Sequence, residues 1–447
     1  DGRDRNTTGR LRTEDHRSSG ERLSHRERQV RRRSQIARVG WVAARLSDSA
    51  SITIAVEVRL QALVLSFLFS SGPLAVAIAG QAGPSRDLLR EATTAHQSGD
   101  MPSAIRLYRE FLMEYPDAAE IRSNLAAALV RAGQSAEAIT EYKRALDHLP
   151  NNPRVRMNLA LAYYKLGKIP EAARELESLV QLQPMELQPA LLLADCLLQS
   201  DRPDKAVELL TPFEHEYPGD RAIIYMLGVA LLKQNQAERA RALLDRILRD
   251  GESAESAYLL GYSAYAAQNM LAASEHLGHA IQLNPNLPGV HSLYGLVLRQ
   301  VGRPEMAPEQ FREELKRNPY DFVANIETAM LLKQEGKLDE ALTHVERALQ
   351  VRPADPGALY QQASIHSLQG HTTQALQEFE QLVRSNPDFA EAHAALATVY
   401  YRLKRKADGD RERAAALRAQ QEAQKRLEER RKPALHTTPR PTTEPQP

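Results

Sequence analysis

A proline recurs at a nearly constant interval along most of this 447-residue chain. Each of these prolines closes an alanine-rich stretch, and the interval is 34 residues except for one gap of 67 residues. The prolines are Pro116, Pro150, Pro184, Pro218, Pro285, Pro319, Pro353 and Pro387. In the longer gap, one unit ends at Gly251 instead of proline. A constant period of this length indicates repeated supersecondary units, and nine of them extend from about Ser85 to Phe389.

Two further positions of the unit carry only small residues. When the proline is numbered 32, position 8 is Ala92, Ala126, Ala160, Ala194, Gly228, Gly261, Gly295, Ala329 and Ala363 in the nine units. Position 20 is Ala104, Ala138, Ala172, Ala206, Ala240, Ala273, Ala307, Ala341 and Ala375. Small residues at these two positions allow two helices of a unit to approach closely.

The middle of the unit carries a turn signal. Position 15 is glycine in six units, namely Gly99, Gly133, Gly167, Gly302, Gly336 and Gly370. Glycine can take the left-handed conformation that ends a helix, and proline cannot continue one. Each unit is therefore predicted to be two helices of roughly fourteen residues joined by a turn. The composition agrees, since Ala, Leu, Glu, Gln and Arg dominate and aromatic residues make up only 5% of the chain.

This pattern resembles the tetratricopeptide repeat, and the resemblance covers about 305 residues. It implies an all-α fold, a right-handed α-solenoid of helix–turn–helix units, and it suggests an exported bacterial member. The sequence departs from the family pattern in small ways. Tryptophan is absent at position 4, Asp201, Asn235 and Gln268 replace glycine, and Glu252 stands where proline is expected. These departures weaken single turns without changing the expected fold.

The C-terminal end is predicted to cap the solenoid. A single helix pair cannot bury a sufficient core, so the units must stack and the last one needs a polar cover. Residues 390–432 are predicted to form a partial repeat and a long charged capping helix, whose thin apolar stripe is Ala414, Leu417 and Leu427. Residues 433–447, rich in Pro and Thr, are predicted to be a disordered tail.

The first 57 residues differ from the rest. They contain thirteen Arg and no Lys, and no Met precedes Met101. One interpretation is an over-extended start, with the true start near Val56 or Val58. The other is an Arg-rich disordered arm that binds an anionic surface. In both cases the low apolar content does not offset the entropy of ordering the segment.

Residues 58–82 have the features of a secretory signal peptide. Arg59 precedes an apolar stretch from Leu60 to Phe69, and no charged residue occurs from Gln61 to Pro84. Small residues then give cleavage sites of the A-x-A type, which predicts a mature protein in the periplasm or cell envelope. The stretch is also long enough to cross a bilayer, so an uncleaved inner-membrane anchor is the alternative. Membrane contact is expected only if residues 58–82 remain uncleaved.

Nothing in the sequence predicts catalysis. The repeats and the cap leave no room for a further domain, and the P-loop, HExxH and GxSxG motifs are absent from the sequence. The single cysteine, Cys196, excludes an intrachain disulfide and is expected to be a buried thiol. His276 and His279, beside Glu275, share a helical face but offer too few ligands for zinc. The chain is therefore predicted to be no enzyme, with neither cofactor nor metal.

The resemblance implies that positions 2, 5, 6, 9, 12 and 13 of each first helix line a concave face that binds partners. Asn124 and Asn158 occupy position 6 in consecutive units, as in family members that hold a peptide backbone with an asparagine ladder. The alternative is that they are polar residues facing solvent. The carboxylate clamp of chaperone-binding members is not supported, because only Asn124 and partly Arg154 match it.

Tyrosines are the stronger feature of this face. Tyr225, at position 5, precedes three tyrosines of the next unit, Tyr258, Tyr262 and Tyr265 at positions 5, 9 and 12. Equivalent rows elsewhere contain Tyr164, Tyr360 and Tyr401. Tyrosine is enriched at interface hot spots, so these rings are predicted partner contacts. The alternative is that they only fill gaps between repeats.

Charge decides between two classes of partner. The chain has 58 basic and 57 acidic residues, so its net charge predicts neither nucleic acid nor an acidic partner. A nucleic-acid reader like the pentatricopeptide repeats needs a basic inner face. Here the basic residues Arg131, Lys165 and Lys233 are offset by the acidic residues Glu120, Asp195, Glu255 and Glu327. The favoured function is a scaffold for a protein or peptide ligand, with Arg131 and Asp195 on its concave face; a non-catalytic subunit of an envelope, polysaccharide or secretion assembly is a further alternative.

Overall fold

The computed structural model of the chain describes residues 84–249 and 251–431. Within these residues every element of regular secondary structure is an α-helix except one 3₁₀ turn, Pro304–Met306, and no strand occurs. The predicted all-α solenoid is therefore confirmed. The predictions for residues 1–57, 58–82 and 433–447 lie outside the described residues.

The helices of the first five units are α1 (Pro84–Ser98), α2 (Met101–Glu114), α3 (Ala119–Arg131), α4 (Ser135–His148), α5 (Pro153–Lys165), α6 (Ile169–Leu182), α7 (Leu187–Gln199), α8 (Pro203–Glu216), α9 (Arg221–Lys233) and α10 (Ala237–Arg249). The remaining helices are α11 (Ala254–Ala266), α12 (Met270–Leu283), α13 (Val290–Gln300), α14 (Ala307–Arg317), α15 (Phe322–Gln334), α16 (Leu338–Val351), α17 (Pro356–Leu368), α18 (Thr372–Ser385), α19 (Ala390–Arg402) and α20 (Lys406–Arg431). Each helix packs on the next one along the chain. The described residues thus stack as successive helix pairs.

The small residues at positions 8 and 20 lie where the two helices of a unit meet. Ala92 and Ala104 of the first unit and Ala363 and Ala375 of the ninth are all fully buried. Gly295 shows how close the approach is, because a Cβ at this residue would lie 2.5 Å from the ring of Phe311. A larger side chain at these positions would force the two helices apart.

The turn between the two helices of a unit has the predicted left-handed residue. Gly336 has φ +77° at position 15. The residues that replace glycine there adopt the same conformation, since φ is +56° at Asp201, +58° at Asn235 and +60° at Gln268. This backbone costs a non-glycine residue about 1 kcal/mol. The turn geometry is therefore imposed by the helix pair, even where the local sequence disfavours it.

A polar network replaces the tryptophan expected at position 4. In the second unit, the Arg122 Nη1 donates to Glu141 Oε2 at 2.6 Å and its Nη2 donates to the carbonyl oxygen of Pro116 at 2.6 Å. In the partial repeat, the His393 Nε2 lies 3.0 Å from the carbonyl oxygen of Pro387, and its Nδ1 lies 2.7 Å from Glu412 Oε2. Equivalent residues pair in the third, seventh and eighth units, namely Arg156 with Glu175, His291 with Gln310, and Asn325 with His344.

In these five units the network joins the unit to the loop before it. The side chain at position 4 links the second helix of its own unit to the proline carbonyl that ends the preceding unit. Because that carbonyl follows the end of a helix, it has no helical partner of its own, and a buried acceptor without a partner is costly. The polar residues at position 4 therefore hold consecutive units together.

The C-terminal helix covers the last unit with a different stripe from the one predicted. Ala416 and Ala419 are buried, whereas Ala414 and Leu417 are exposed, and the side chain of Leu427 lies outside the described residues. Gly409 near the start of α20 lies directly against the ring of Tyr401. This close approach turns the small-residue face of α20 toward α19, and so the predicted stripe was wrong by about half a turn.

The solenoid also turns back on itself, so that units far apart in sequence touch. Helix α16 contacts α6, and Val351, which is only 1% exposed, belongs to a core built mainly from α1–α7. The Nε of Arg352 donates to the backbone oxygen of Gln199 at 2.6 Å, across 153 positions of sequence. The ring of Tyr320 covers Gly167. We call the contacts of Gly167, Gln199, Tyr320, Val351 and Arg352 the seam.

No helix in the described ranges is long and apolar enough to cross a bilayer. The candidate export segment, residues 58–82, lies outside the described residues. The membrane anchor thus stays a prediction from sequence.

Candidate partner-binding surface

The predicted binding residues lie on the first helices of six units. They are Asn124 and Arg131 on α3, Asn158 and Tyr164 on α5, Asp195 on α7, Tyr225 on α9, Tyr258, Tyr262 and Tyr265 on α11, and Tyr360 on α17. The structure gathers four tyrosines into one row and joins Tyr164 to Asp195. It leaves the asparagines on neighbouring helices and Tyr360 in a separate core.

Tyr225, Tyr258, Tyr262 and Tyr265 form the aromatic row. Their ring centroids are 5.4 Å, 6.2 Å and 6.3 Å apart in sequence order. Tyr225 and Tyr258 are only 6% and 7% exposed. The Tyr225 hydroxyl donates to the carbonyl oxygen of Pro288 at 2.9 Å, so the loop before α13 covers this end of the row. As they lie, Tyr225 and Tyr258 pack the interior and are not accessible to a partner.

The other half of the row is partly open. Tyr262 and Tyr265 are half-buried. Burial, reinforced by the charges of Tyr265 and Asp201, raises the pKa of Tyr262 to about 12. The hydroxyl thus remains protonated at neutral pH and can donate or accept a hydrogen bond. The role of Tyr262 and Tyr265 as partner contacts stays a prediction.

Tyr164 and Asp195 form a closed polar network with Gln199. The Tyr164 hydroxyl donates to Asp195 Oδ2 at 2.6 Å, and the Gln199 Nε2 donates to the same oxygen at 2.6 Å. Burial raises the pKa of Asp195, and these two hydrogen bonds oppose the rise. The adjacent Cys196 is buried, as expected, and burial raises the pKa of its thiol well above the usual range. This thiol is therefore not an activated nucleophile.

The asparagines at position 6 differ in their surroundings. Asn124 is half-buried on α3. Asn158 on α5 is 6% exposed, and its Oδ1 has no hydrogen-bond partner among the described residues. A buried acceptor without a partner costs about 1–3 kcal/mol. Arg131 already makes a hydrogen bond within the chain, since its Nη1 donates to the backbone oxygen of His96 at 2.9 Å.

Tyr360 belongs to the core of the last units. Its ring lies 5.9 Å from that of Phe379 and 5.6 Å from that of Phe389, centroid to centroid. It is half-buried, and the structure does not bring it near the aromatic row. Its contact with a partner stays a prediction.

One buried and one half-buried carboxyl group were missed by the sequence reasoning. Glu314 is 3% exposed and accepts hydrogen bonds from the backbone nitrogens of Gly289, at 3.1 Å, and Ser292, at 3.4 Å. The Ser292 hydroxyl donates to Asp321 Oδ1 at 2.6 Å, so one serine connects both carboxyl groups. Burial raises the pKa of Glu314, and the charge of Asp321 adds to the rise. Burial also raises the pKa of Asp321.

A signal for Glu314 was present in the repeat. It occupies position 27, which is apolar in the other eight units, namely Phe111, Ala145, Leu179, Phe213, Ile247, Ala280, Ala348 and Leu382. A single charged residue at a position that is otherwise buried is informative, because an ionised carboxylate is costly to bury. Comparing all units column by column would have found it.

The described residues contain no group of three or more His, Cys, Asp or Glu side chains that could hold a metal. His279, one of the two histidines considered as ligands, lies 3.2 Å from Glu252 on the loop before α11.

Lys233 is paired with Asp201 at 2.8 Å. Arg131 and Lys233 thus each have a local partner, and no continuous basic track forms from them.

Comparisons with known proteins point to one family. Two profiles described as tetratricopeptide repeat match the sequence, one at residues 129–196, 197–261 and 332–399 and the other at residues 89–153. Together they cover more than half of the chain. No curated protein matches the sequence.

Solved structures that match the chain share little sequence with it. The APC/C hetero-tetramer Cut9–Hcn1 has 10% identity and a TM-score of 0.45, over 76% of this chain and 87% of that one. The MamA protein has 18% identity and a TM-score of 0.35, over 37% and 90%. The Naa15/Naa10 complex bound to HypK-THB has 15% identity and a TM-score of 0.33, over 75% and 64%.

The profile matches agree with the geometry of the units. The matched residues contain the left-handed turns at position 15 and the buried small residues at positions 8 and 20. Repeats of this kind generally bind protein partners, and their fold is generally non-catalytic. The chain therefore belongs to the tetratricopeptide repeat family and has the fold of a protein-interaction scaffold.

Proposed function

We propose that this chain is a non-enzymatic scaffold that holds an extended peptide or a helix of a partner protein against its inner helices, with α3 and α5 supplying the principal contacts. The proposal places the protein in the cell envelope. It assigns the contact to the N-terminal units because the inner face of α9 and α11 is covered at Tyr225 and Tyr258.

The observation that supports this assignment is the unpaired amide oxygen of Asn158. This oxygen is buried on an inner helix and has no acceptor role within the described part of the chain. Asn158 is as buried as Tyr225 in the described conformation, so its side chain must first rotate toward the inner face. A backbone N–H of a bound peptide would then supply the missing hydrogen bond, and the gain would include the cost of the unpaired group. Asn124 stands at the same position one unit earlier, so a second peptide group can be held in the same way.

The residues around the asparagines suit a peptide rather than a catalytic role. Glu120 and Arg154, at position 2 of the same two units, are exposed and carry opposite charges. Lys165, at position 13, is also exposed. Such a mixed rim selects partners by charge complementarity, while the amides hold the backbone.

The proposal is tested by a pull-down of the full chain from the native envelope fraction, followed by affinity measurement with the captured partner. Replacing both asparagines, Asn124→Ala with Asn158→Ala, is expected to weaken binding roughly tenfold, since two hydrogen bonds are lost. Asn151→Ala, in the exposed loop before α5, is the matched control and should bind normally. Unchanged affinity in the double variant would show that the partner does not bind at α3 and α5.

The location is tested separately, by N-terminal sequencing of the protein purified from its own organism. Cleavage by the small-residue rule would give a mature chain beginning between about Ile78 and Gly83. A membrane-bound chain that retains residues 58–82 would support the anchor instead. Peptides from residues 1–50 would contradict the over-extended start.

A further inference from the structure

The solenoid is closed across its middle by contacts that are separate from the stacking of neighbouring units. We propose that the seam is a releasable latch: it holds the third and fourth units against the eighth, and its release uncurls the units between them and exposes the aromatic row. This inference is independent of the identity of any partner.

Arg352 is the centre of the latch. Its Nε donates to the backbone oxygen of Gln199, the last residue of α7. Carbonyl groups at the C-terminal end of a helix lack helical partners and carry partial negative charge, so a guanidinium is well placed there. The Arg352 Cζ lies 4.0 Å from the ring centroid of Phe322, which orients the side chain from within its own unit.

A second contact lies beside it. The ring of Tyr320, in the loop before α15, covers Gly167, which has φ +69°. Any side chain at this residue would overlap the ring, and the left-handed backbone also favours glycine. Val351 adds an apolar contact, because it is buried in the core of the early units. Tyr320 just before the eighth unit, and Val351 and Arg352 near its end, thus contact α5–α7 and the loops that join these helices.

The seam differs from the interfaces between stacked units because it is incompletely packed. A cavity of about 410 Å³ lies along it. Residues from both sides line this cavity, among them Arg174, Asp201, Arg202, Pro353 and Asp355. Interfaces within a chain that are polar and loosely packed allow the two sides to move relative to each other. The tight stacking of helix pairs does not.

Closure explains the burial of Tyr225 and Tyr258. With the third and fourth units tied to the eighth, the units between them must curve strongly, and their inner helices face the inside of the turn. Tyr225 then reaches the loop at Pro288, and Tyr258 lies beside Gly289. Opening the seam would relax this curvature and separate α9 and α11 from the loop that covers them.

Spin labels across the seam test the proposal in the full-length chain. Arg174→Cys and Ala354→Cys place labels on exposed residues on its two sides, with Cys196→Ala removing the buried native thiol. The distance distribution should be short and narrow. With Arg352→Ala and Tyr320→Ala added, it should broaden and shift outward by on the order of 10 Å, the width of one helix layer.

The matched control is Arg384→Ala, which removes an exposed arginine whose Nε bonds only to its own helix, at Glu380. It should leave the distances unchanged. Circular dichroism checks that helix content is retained; if the double latch variant loses it, Arg352→Ala and Tyr320→Ala are measured singly. An unchanged distribution in folded latch variants, or a broad one in the labelled chain that keeps both latch residues, would overturn the proposal.

Tyrosine nitration gives a second measurement on the unlabelled protein. Tyr401 is 38% exposed and serves as the internal reference. In the native chain, Tyr258 should react far more slowly than Tyr401, and in the latch variants its rate should rise toward that of Tyr401. If Tyr258 stays protected in folded latch variants, the seam does not control access to the row.

Discussion

The same residue type at the same repeat position behaves differently in the middle of the solenoid and at its C-terminal end. Position 5 is Tyr258 in the sixth unit, where it is buried, and Tyr360 in the ninth unit, where it is half-buried. Position 12 is the half-buried Tyr265 in the sixth unit and the exposed Tyr401 in the partial repeat. The helix pairs that carry these residues are alike.

The difference comes from what packs on the inner face of the curved solenoid in each region. In the middle, the loop at Pro288 covers the inner helices. Helix α19 is followed only by the cap α20, and among the described residues nothing further stacks on that end. Repeat position therefore predicts which way a side chain faces, while the curvature of the whole solenoid decides whether that face is open.

Truncating a tyrosine should give the largest contrast between the two regions. Tyr258→Ala removes a buried ring and is expected to cost about 3 kcal/mol or more of unfolding free energy. Tyr401→Ala removes an exposed ring with one hydrogen bond, to Asp410, and should cost about 1 kcal/mol or less. Urea melts followed by circular dichroism measure both. Equal losses would show that the middle is as open as the end.

The middle of the solenoid should also lose stability as pH rises, because it contains Glu314, whose pKa is raised from 4.5 to about 8. The folded state then holds a proton that the unfolded chain releases. Its stabilisation is complete below about pH 4.5 and is lost as pH rises through about 8, by on the order of a few kcal/mol. The charge of Asp321 adds to the raised pKa of Glu314, and the charge of Arg352 opposes the rise in the pKa of Asp321.

Melts between pH 5 and pH 9 check this dependence, and Glu314→Gln should flatten it. Glu309→Gln removes an exposed carboxylate of the same helix and is the control, which should leave the slope unchanged. A slope that survives in Glu314→Gln would assign it to other carboxyl groups of the chain.

Within a helix pair, the stability cost of a substitution should depend on its repeat position, whichever region of the solenoid the pair belongs to. Ala341 is fully buried at position 20 of the eighth unit, and Ala341→Leu should overpack the crossing and cost roughly 1–3 kcal/mol. Glu346→Ala, on the exposed face of the same helix, should change stability by no more than about 0.5 kcal/mol. If both variants lost the same stability in urea, the assignment of the inner and outer faces would be wrong.

The smallest expected effect concerns the turns. Gln268 in the middle and Gly370 near the end both have positive φ at position 15. Gln268→Gly should stabilise the protein by up to about 1 kcal/mol, and Gly370→Gln should destabilise it by a similar amount. Thermal melts of the two variants give the comparison. A loss in Gln268→Gly would mean that the side chain has a stabilising contact greater than the strain it causes.

Much of the fold followed from residues within one unit. The buried alanines at positions 8 and 20 and the left-handed turn at Gly336 are local features, because they depend on helix period and backbone sterics over about thirty residues. The candidate site was less accessible to sequence reasoning. Asn158 was identified, but its unpaired oxygen was not, and Tyr225 and Tyr258 were expected on an open groove.

The sequence by itself therefore determined the unit: two helices, a turn and a contact face repeated along the chain. Tertiary structure decided how the units curve, which tyrosines are covered and where carboxyl groups are buried. The physical reason is that curvature sums many small rotations between neighbouring units. No single unit specifies the contact of Arg352 with Gln199, since 153 positions separate them and every intervening unit contributes to bringing them together.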